Sequence, residues 1–115
     1  MGKVSHMERT LKRLRDEGYL VAKVEHWNPF AHKRQDLFGF IDVLAIKKNQ
    51  PILAVQVCGD DSRAAHVASL ESNEAFRVWR YTGLEEDASI IQVWSWGKHG
   101  AKGKRKVWTV NITEL

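Results

Sequence analysis

Cysteine is almost absent. Cys58 is the single one among 115 residues, so no internal disulfide can form and a fold held by disulfide staples is excluded. That usage suits a reducing compartment, and a cytoplasmic location is the expectation. No apolar run approaches the roughly 18 residues of a membrane span, and the polar opening Met1–His6 lacks the apolar stretch of a signal peptide. A soluble chain with no membrane partner is therefore expected. The five histidines (His6, His26, His32, His66 and His99) show no metal-ligand spacing, and one cysteine is too few for an ordered zinc site. There is no internal repeat and no interdomain linker. What is present is 43% apolar and 28% charged residues, an ordinary globular balance that predicts one domain over 1–115.

The net charge of +4 is unevenly spread. Residues 1–35 carry 8 basic and 4 acidic groups, 36–96 carry 5 and 9, and 97–115 carry 5 and 1. Basic ends around an acidic centre fit a nucleic-acid binder with a metal-holding centre. Solvated lysines in loops produce the same distribution, and charge alone does not choose between the two.

Residues His6 to Glu17 read as a helix, with Met7, Leu11 and Leu14 on one face. Ser5 and Glu8 form a capping-box pattern, and Gly18 ends the helix. Tyr19 to Trp27 reads as a strand broken by Asn28-Pro29, and 33–36 as a polar loop. Leu37 to Ile46 and Ile52 to Cys58 read as two buried strands joined in a hairpin across the turn 47–51. Asp60 or Asp61 caps a helix running to about Leu70, with Ala64, Val67 and Leu70 on one face. A second helix covers about Asn73 to Thr82 and stops at Gly83. Strands follow at Ser89–Trp96 and Lys106–Ile112, flanking a basic loop over 97–105. This order predicts an α/β fold, with helices packed on a central mixed sheet.

Asp42 is the anomaly. It stands between Ile41 and Val43 in an apolar strand, where an unpaired charge costs several kcal/mol. The neighbouring strand carries Gln56 in an equally apolar run. Two oxygen-bearing side chains on adjacent strands suggest a hard-cation site of the kind Mg²⁺ occupies. The competing explanation puts Asp42 near a strand end, paired with an arginine.

Asp42, a turn, and Gln56-Val57-Cys58 resemble the Asp…(Glu/Gln)-x-Lys core of the PD-(D/E)XK nuclease superfamily. The matching stretches are Arg34-Gln35-Asp36-Leu37-Phe38-Gly39-Phe40-Ile41-Asp42, Ile52 to Val57, and Gly97-Lys98 with Lys106-Val107-Trp108-Thr109. The resemblance spans positions 8–110 and is greatest to small Holliday-junction-resolvase-like proteins of phages and bacteria. It implies a restriction-endonuclease-like αβββαβ core and metal-dependent hydrolysis of DNA phosphodiesters, selective for branched DNA. It also implies Mg²⁺ as cofactor, with Mn²⁺ able to substitute, and a homodimer that cuts two strands. By the same resemblance Asp42 is the principal metal ligand. Gln56 takes the place of the usual Glu, the Val57 carbonyl is a further ligand, and Glu8 is the acid contributed by the first helix. Capping the helix is the competing role for Glu8. Asp36, an even six residues before Asp42, shares its face if the strand runs straight and would support the ligands from behind. Gly39 between them allows a bend instead.

One departure matters: the family's lysine is replaced by Cys58, which shares a strand face with Gln56 and neither activates water nor stabilises a phosphorane. Lys47, Lys48, Arg63 and Lys98 are the candidate substitutes. The alternative is a non-catalytic DNA-binding module of the same fold. Arg9, Arg13, Lys33, Arg34, Lys98, Lys102, Lys104 and Arg105 are the expected DNA contacts, giving salt-dependent affinity with little sequence reading. The five tryptophans are expected mainly in the core or a dimer contact, with base stacking the rarer role.

Overall fold

A computed structural model describes residues 4–80 and 89–115. The elements are α1 (His6–Asp16), β1 (Leu20–Lys23), β2 (His26–Asn28), β3 (Lys33–Gln35), β4 (Val43–Ile46), β5 (Ile52–Gly59), a 3-10 turn (Asp60–Ser62), α2 (Arg63–Glu71), α3 (Glu74–Arg80), β6 (Ser89–His99) and β7 (Val107–Glu114). The fold is α/β with three α-helices among the described residues. Five strands form a mixed sheet in the order β1-β4-β5-β6-β7, and β2-β3 form a separate ribbon. Among the described residues only β5 and β6 run parallel, from Ile52↔Ser89 to Gly59↔Trp96. The expected hairpin between 37–46 and 52–58 is present as β4-β5, paired through Val43↔Val55.

The sheet is covered on both faces because its central strands are apolar on both faces. On one side α1 packs Leu14 over Val43, Val55, Trp94 and Trp96. On the other, α2 and α3 bring Leu70 and Phe76 onto Phe40, Ile41, Ala54, Cys58 and Val93. The Ser5 side chain accepts from the Glu8 N–H at the start of α1. Within the α1 layer, the buried Trp96 indole N–H donates to Thr10 Oγ1 at 2.8 Å, and Thr10 Oγ1 donates to the His6 carbonyl at 2.9 Å. Thr10→Val should therefore cost about 1–3 kcal/mol in urea unfolding, because it strands a buried donor while keeping the side-chain volume. Adding Trp96→Phe to that variant should recover part of the loss; no recovery would mean that the hydrogen bond is not the cause.

Several expected boundaries shift. The strand expected over Tyr19–Trp27 divides into β1 and β2, since the chain leaves the sheet at Val24 and Glu25. The polar segment 33–36 is not loop but contains β3, paired with β2 through Trp27↔Arg34. The strand expected from Leu37 starts only at Val43. Residues 37–41 instead double back, with Leu37↔Ile41 bridged and the Phe40 N–H donating to the Leu37 carbonyl. Phe38 (φ 56°) and Gly39 (φ 81°) are both left-handed, as in a mirror-image hairpin turn. Neither Asp60 nor Asp61 caps α2 through its side chain: a 3-10 turn leads into it, and Asp60 pairs with His99. Asn73 caps α3, its Oδ1 accepting from Ala75 N–H at 2.8 Å. The expected end of that helix at Thr82–Gly83 lies outside the described residues. β6 extends to His99, so the basic loop is confined to 100–106.

Candidate metal centre

The site is built at the end of the sheet where β5 finishes. Asp42 immediately precedes β4 and is 5% exposed. It does lie at a strand end, as the competing explanation supposed, but its hydrogen-bond partner is a backbone amide, not an arginine: Oδ2 accepts from Val57 N–H at 2.8 Å. The main chain at Asp42 is pinned on both sides, its N–H donating to the Val55 carbonyl and its carbonyl accepting from Val24 N–H. Asp36 and Glu25 converge on it, and carboxylate oxygens of Glu25, Asp36 and Asp42 lie within 4.8 Å of one another.

The turn at Phe38-Gly39 explains how Asp36 arrives. In a straight strand, six residues would separate Asp36 from Asp42 by about 20 Å, too far to share an ion even on one face. The fold-back closes that gap. Glu25 arrives by the ribbon: β2 and β3 pair His26↔Gln35, and Glu25 and Asp36 are the residues just below that pair. Sequence reasoning passed over Glu25; its position beside Lys23 and before an alternating stretch carried no signal of a shared site. Glu25 is neutralised in part by Arg34 at 2.7 Å and Lys23 at 3.9 Å.

Burial drives the Asp42 carboxyl up to about 8, against a partly offsetting hydrogen bond from Val57. The hydrogen bond and charge of Asp36, and the charge of Glu25, push it further the same way. Asp42 thus keeps its proton at neutral pH in the metal-free protein. Beside Val57, the Gln56 side chain is 8% exposed, and its Oε1 is buried without a hydrogen-bond partner. A buried acceptor left without a donor is uncommon. Three converging carboxyl groups, one of them held protonated, form an all-oxygen donor set suited to a hard divalent cation, and Gln56 on the strand next to Asp42 carries a further free amide oxygen.

The other expected site residues are distributed as follows. Glu8 sits in the first turn of α1, exposed, and is not one of the three converging carboxylates. Lys47 is at the far end of β4, donating to the Glu17 carbonyl at 2.7 Å and lying over Tyr19, and Lys48 follows it. Both lie at the end of β4 away from Asp42. Lys98 lies over the Trp108 ring, beside α1 and not beside Gln56. Arg63, at the start of α2, is the candidate substitute that acts electrostatically on Cys58. Cys58 itself is buried, and burial pushes its thiol up, opposed by a hydrogen bond with Ser62.

The expected DNA contacts form two groups at this same end. Lys33 and Arg34 are on the ribbon. Arg9 stacks its guanidinium 4.1 Å from the Trp108 ring centre, with Lys98 next to it and Lys102, Lys104 and Arg105 exposed in the neighbouring loop. Arg13 is one turn further along α1, 3.5 Å from Glu17. Trp94 and Trp96 are core, whereas Trp27 and Trp108 are exposed. No helix among the described residues is long and apolar enough to cross a membrane. No known family model, curated protein or solved structure matches the chain.

Proposed function

We propose that this chain is a divalent-metal-dependent DNA endonuclease with a PD-(D/E)XK-like core, selective for branched DNA and working as a dimer. The observation that carries the reading is the convergence of the Glu25, Asp36 and Asp42 carboxyl groups, with an unpartnered, buried Gln56 Oε1 on the strand next to Asp42. The order of α1, the antiparallel strands β1, β4 and β5, α2 and the parallel strand β6 supports the core assignment. The two basic groups at the same end of the sheet as the acids support a phosphate backbone crossing that end.

Asp42, Asp36, Glu25 and Gln56 would hold a Mg²⁺ or Mn²⁺ ion, which when bound would supply Lewis-acid activation of water and neutralise charge building on a phosphate. The remaining work falls to the chain itself. Val57 N–H holds one Asp42 oxygen in place, and Arg34 and Lys23 fix Glu25. Arg63 is the cation available on the Cys58 side to meet a developing phosphorane. Paired cuts require two copies; the free edge of β7, the terminal strand of the sheet, is a surface on which a second copy would pair.

The second reading, a DNA-binding module without catalysis, is favoured by Cys58: a buried thiol stands where the resemblance calls for an ammonium group. A cleavage assay separates the two. Labelled four-way junction, splayed duplex, linear duplex and single strand are incubated in Mg²⁺, Mn²⁺ or EDTA, with Asp42→Ala in parallel. Paired, divalent-dependent junction cuts that vanish in the variant are expected. Tight junction binding with no cut under any metal would establish the binding module instead.

A further inference from the structure

The β2-β3 ribbon places a bulky aromatic in water with no folding role to account for it. Phe30, in the loop joining the two strands, is 95% exposed, and Trp27 in the middle of β2 is 57% exposed. The loop is nonetheless well ordered by its own chemistry. Asn28 Oδ1 accepts from the Phe30 N–H at 2.9 Å and the Ala31 N–H at 3.1 Å, Pro29 restricts the preceding backbone, and His32 closes the turn in the left-handed region at φ 53°. An aromatic held in a fixed turn is pre-organised for contact, since little freedom is lost when it binds.

Charge and position say what it would contact. Exposed Lys33 follows Phe30 along the same ribbon, next to Arg34, which is paired with Glu25 and keeps its outer face in solvent, a cationic setting matched to phosphates. The ribbon's base is the acid cluster itself, because Glu25 and Asp36 flank its last pair, His26↔Gln35. An open groove of about 640 Å³, lined by Lys33, Arg34, Asp36, Phe38 and Gly39 among others, runs along that base. Glu25 to Asn28 runs extended before the chain turns at Pro29, so the Phe30 tip stands on the order of 10 Å from the acids along the ribbon. That is about three stacked nucleotides of one strand at 3.4 Å each.

We infer that the β2-β3 ribbon is the arm that recognises unstacked bases at a DNA branch, with Phe30 stacking on a base some three nucleotides from the phosphate held at the acid cluster. The inference rests on the nuclease reading for its choice of DNA as partner. Bases within a continuous duplex are covered by their neighbours, so a stacking aromatic distinguishes a branch or single strand from linear duplex without reading sequence. The carboxylates at the ribbon's base then meet only DNA whose opened strand has engaged the tip.

The test is binding in EDTA, where cleavage plays no part. Wild type, Phe30→Ala and Phe30→Tyr are titrated against linear duplex and against a four-way junction carrying 2-aminopurine beside the crossover. Phe30→Ala should weaken junction binding about tenfold, abolish the 2-aminopurine response and change duplex affinity less than twofold, while Phe30→Tyr keeps the junction preference. Because Phe30 has almost no contact with the fold, thermal unfolding of Phe30→Ala should match wild type. Equal junction affinity and equal 2-aminopurine response for wild type and Phe30→Ala overturn the arm and leave the nuclease reading standing. Wild type that binds neither DNA overturns both.

Discussion

Asp42→Asn should abolish divalent-dependent DNA cleavage, by a thousandfold or more (about 4 kcal/mol), and at the same time stabilise the metal-free protein at pH 8. The two effects share one cause. The folded protein holds the Asp42 proton up to about pH 8, whereas a free aspartate releases it near 3.8. A carboxyl whose folded pKa is raised contributes stability that is fully present below the unfolded value and is lost as pH rises through the folded one. In EDTA, wild type should therefore lose stability relative to Asp42→Asn from about pH 4, with the gap ceasing to widen above about pH 8. Asparagine resembles the protonated acid: its oxygen accepts from Val57 N–H, and its amide donates toward Asp36. Urea unfolding of both proteins at pH 5, 7 and 9 measures the gap. Mg²⁺ should raise the stability of wild type and not of the variant, and its affinity for wild type should fall about tenfold per pH unit below 8, since a proton must leave. Asp42→Asn being less stable than wild type at pH 8 in EDTA would contradict the picture of three carboxylates in tension.

Gln56→Glu should move metal affinity and metal-free stability in opposite directions. If Gln56 serves the acid cluster, a carboxylate at its place on the strand next to Asp42 adds a full charge to the donor set, and divalent binding should tighten about 10- to 100-fold by titration calorimetry. Without metal, the same charge is buried among like charges, and the protein should lose about 2 kcal/mol or more in EDTA. Gln56→Leu provides the control: it removes the unpartnered Oε1 and should be neutral or stabilising in EDTA, while weakening metal binding. An unchanged divalent affinity in Gln56→Glu would mean that the side chain does not serve the acid cluster.

These expectations depend on features that differ in how far they can be read from residues alone. The central strands were legible because both faces of 52–58 and of 89–96 are apolar, and a run of that kind has few other solutions in a small α/β domain. Asp42 and Gln56 stood out for the same reason, as polar residues in apolar strands. The helix 6–17 was legible from a 3.6-residue apolar stripe with a serine at its start.

What the residues could not disclose is geometry fixed by long-range pairing and by one strained turn. Phe38 in the left-handed region is unusual for a bulky residue, so 37–46 read as uninterrupted strand; packing of Phe40 and Ile41 into the α2-α3 layer holds the turn and so brings Asp36 to Asp42. Glu25 joins them because β2 pairs with β3, a short ribbon whose alternating sequence is too polar to announce itself. The exposure of Phe30 follows from that ribbon standing clear of the sheet, since an aromatic next to Pro29 in isolation reads equally well as core. Sequence by itself determined which strands are buried and which polar residues are out of place within them, because burial is a property of local pattern. Tertiary structure alone decided which carboxylates meet and which aromatic faces water, because those depend on where the chain reverses.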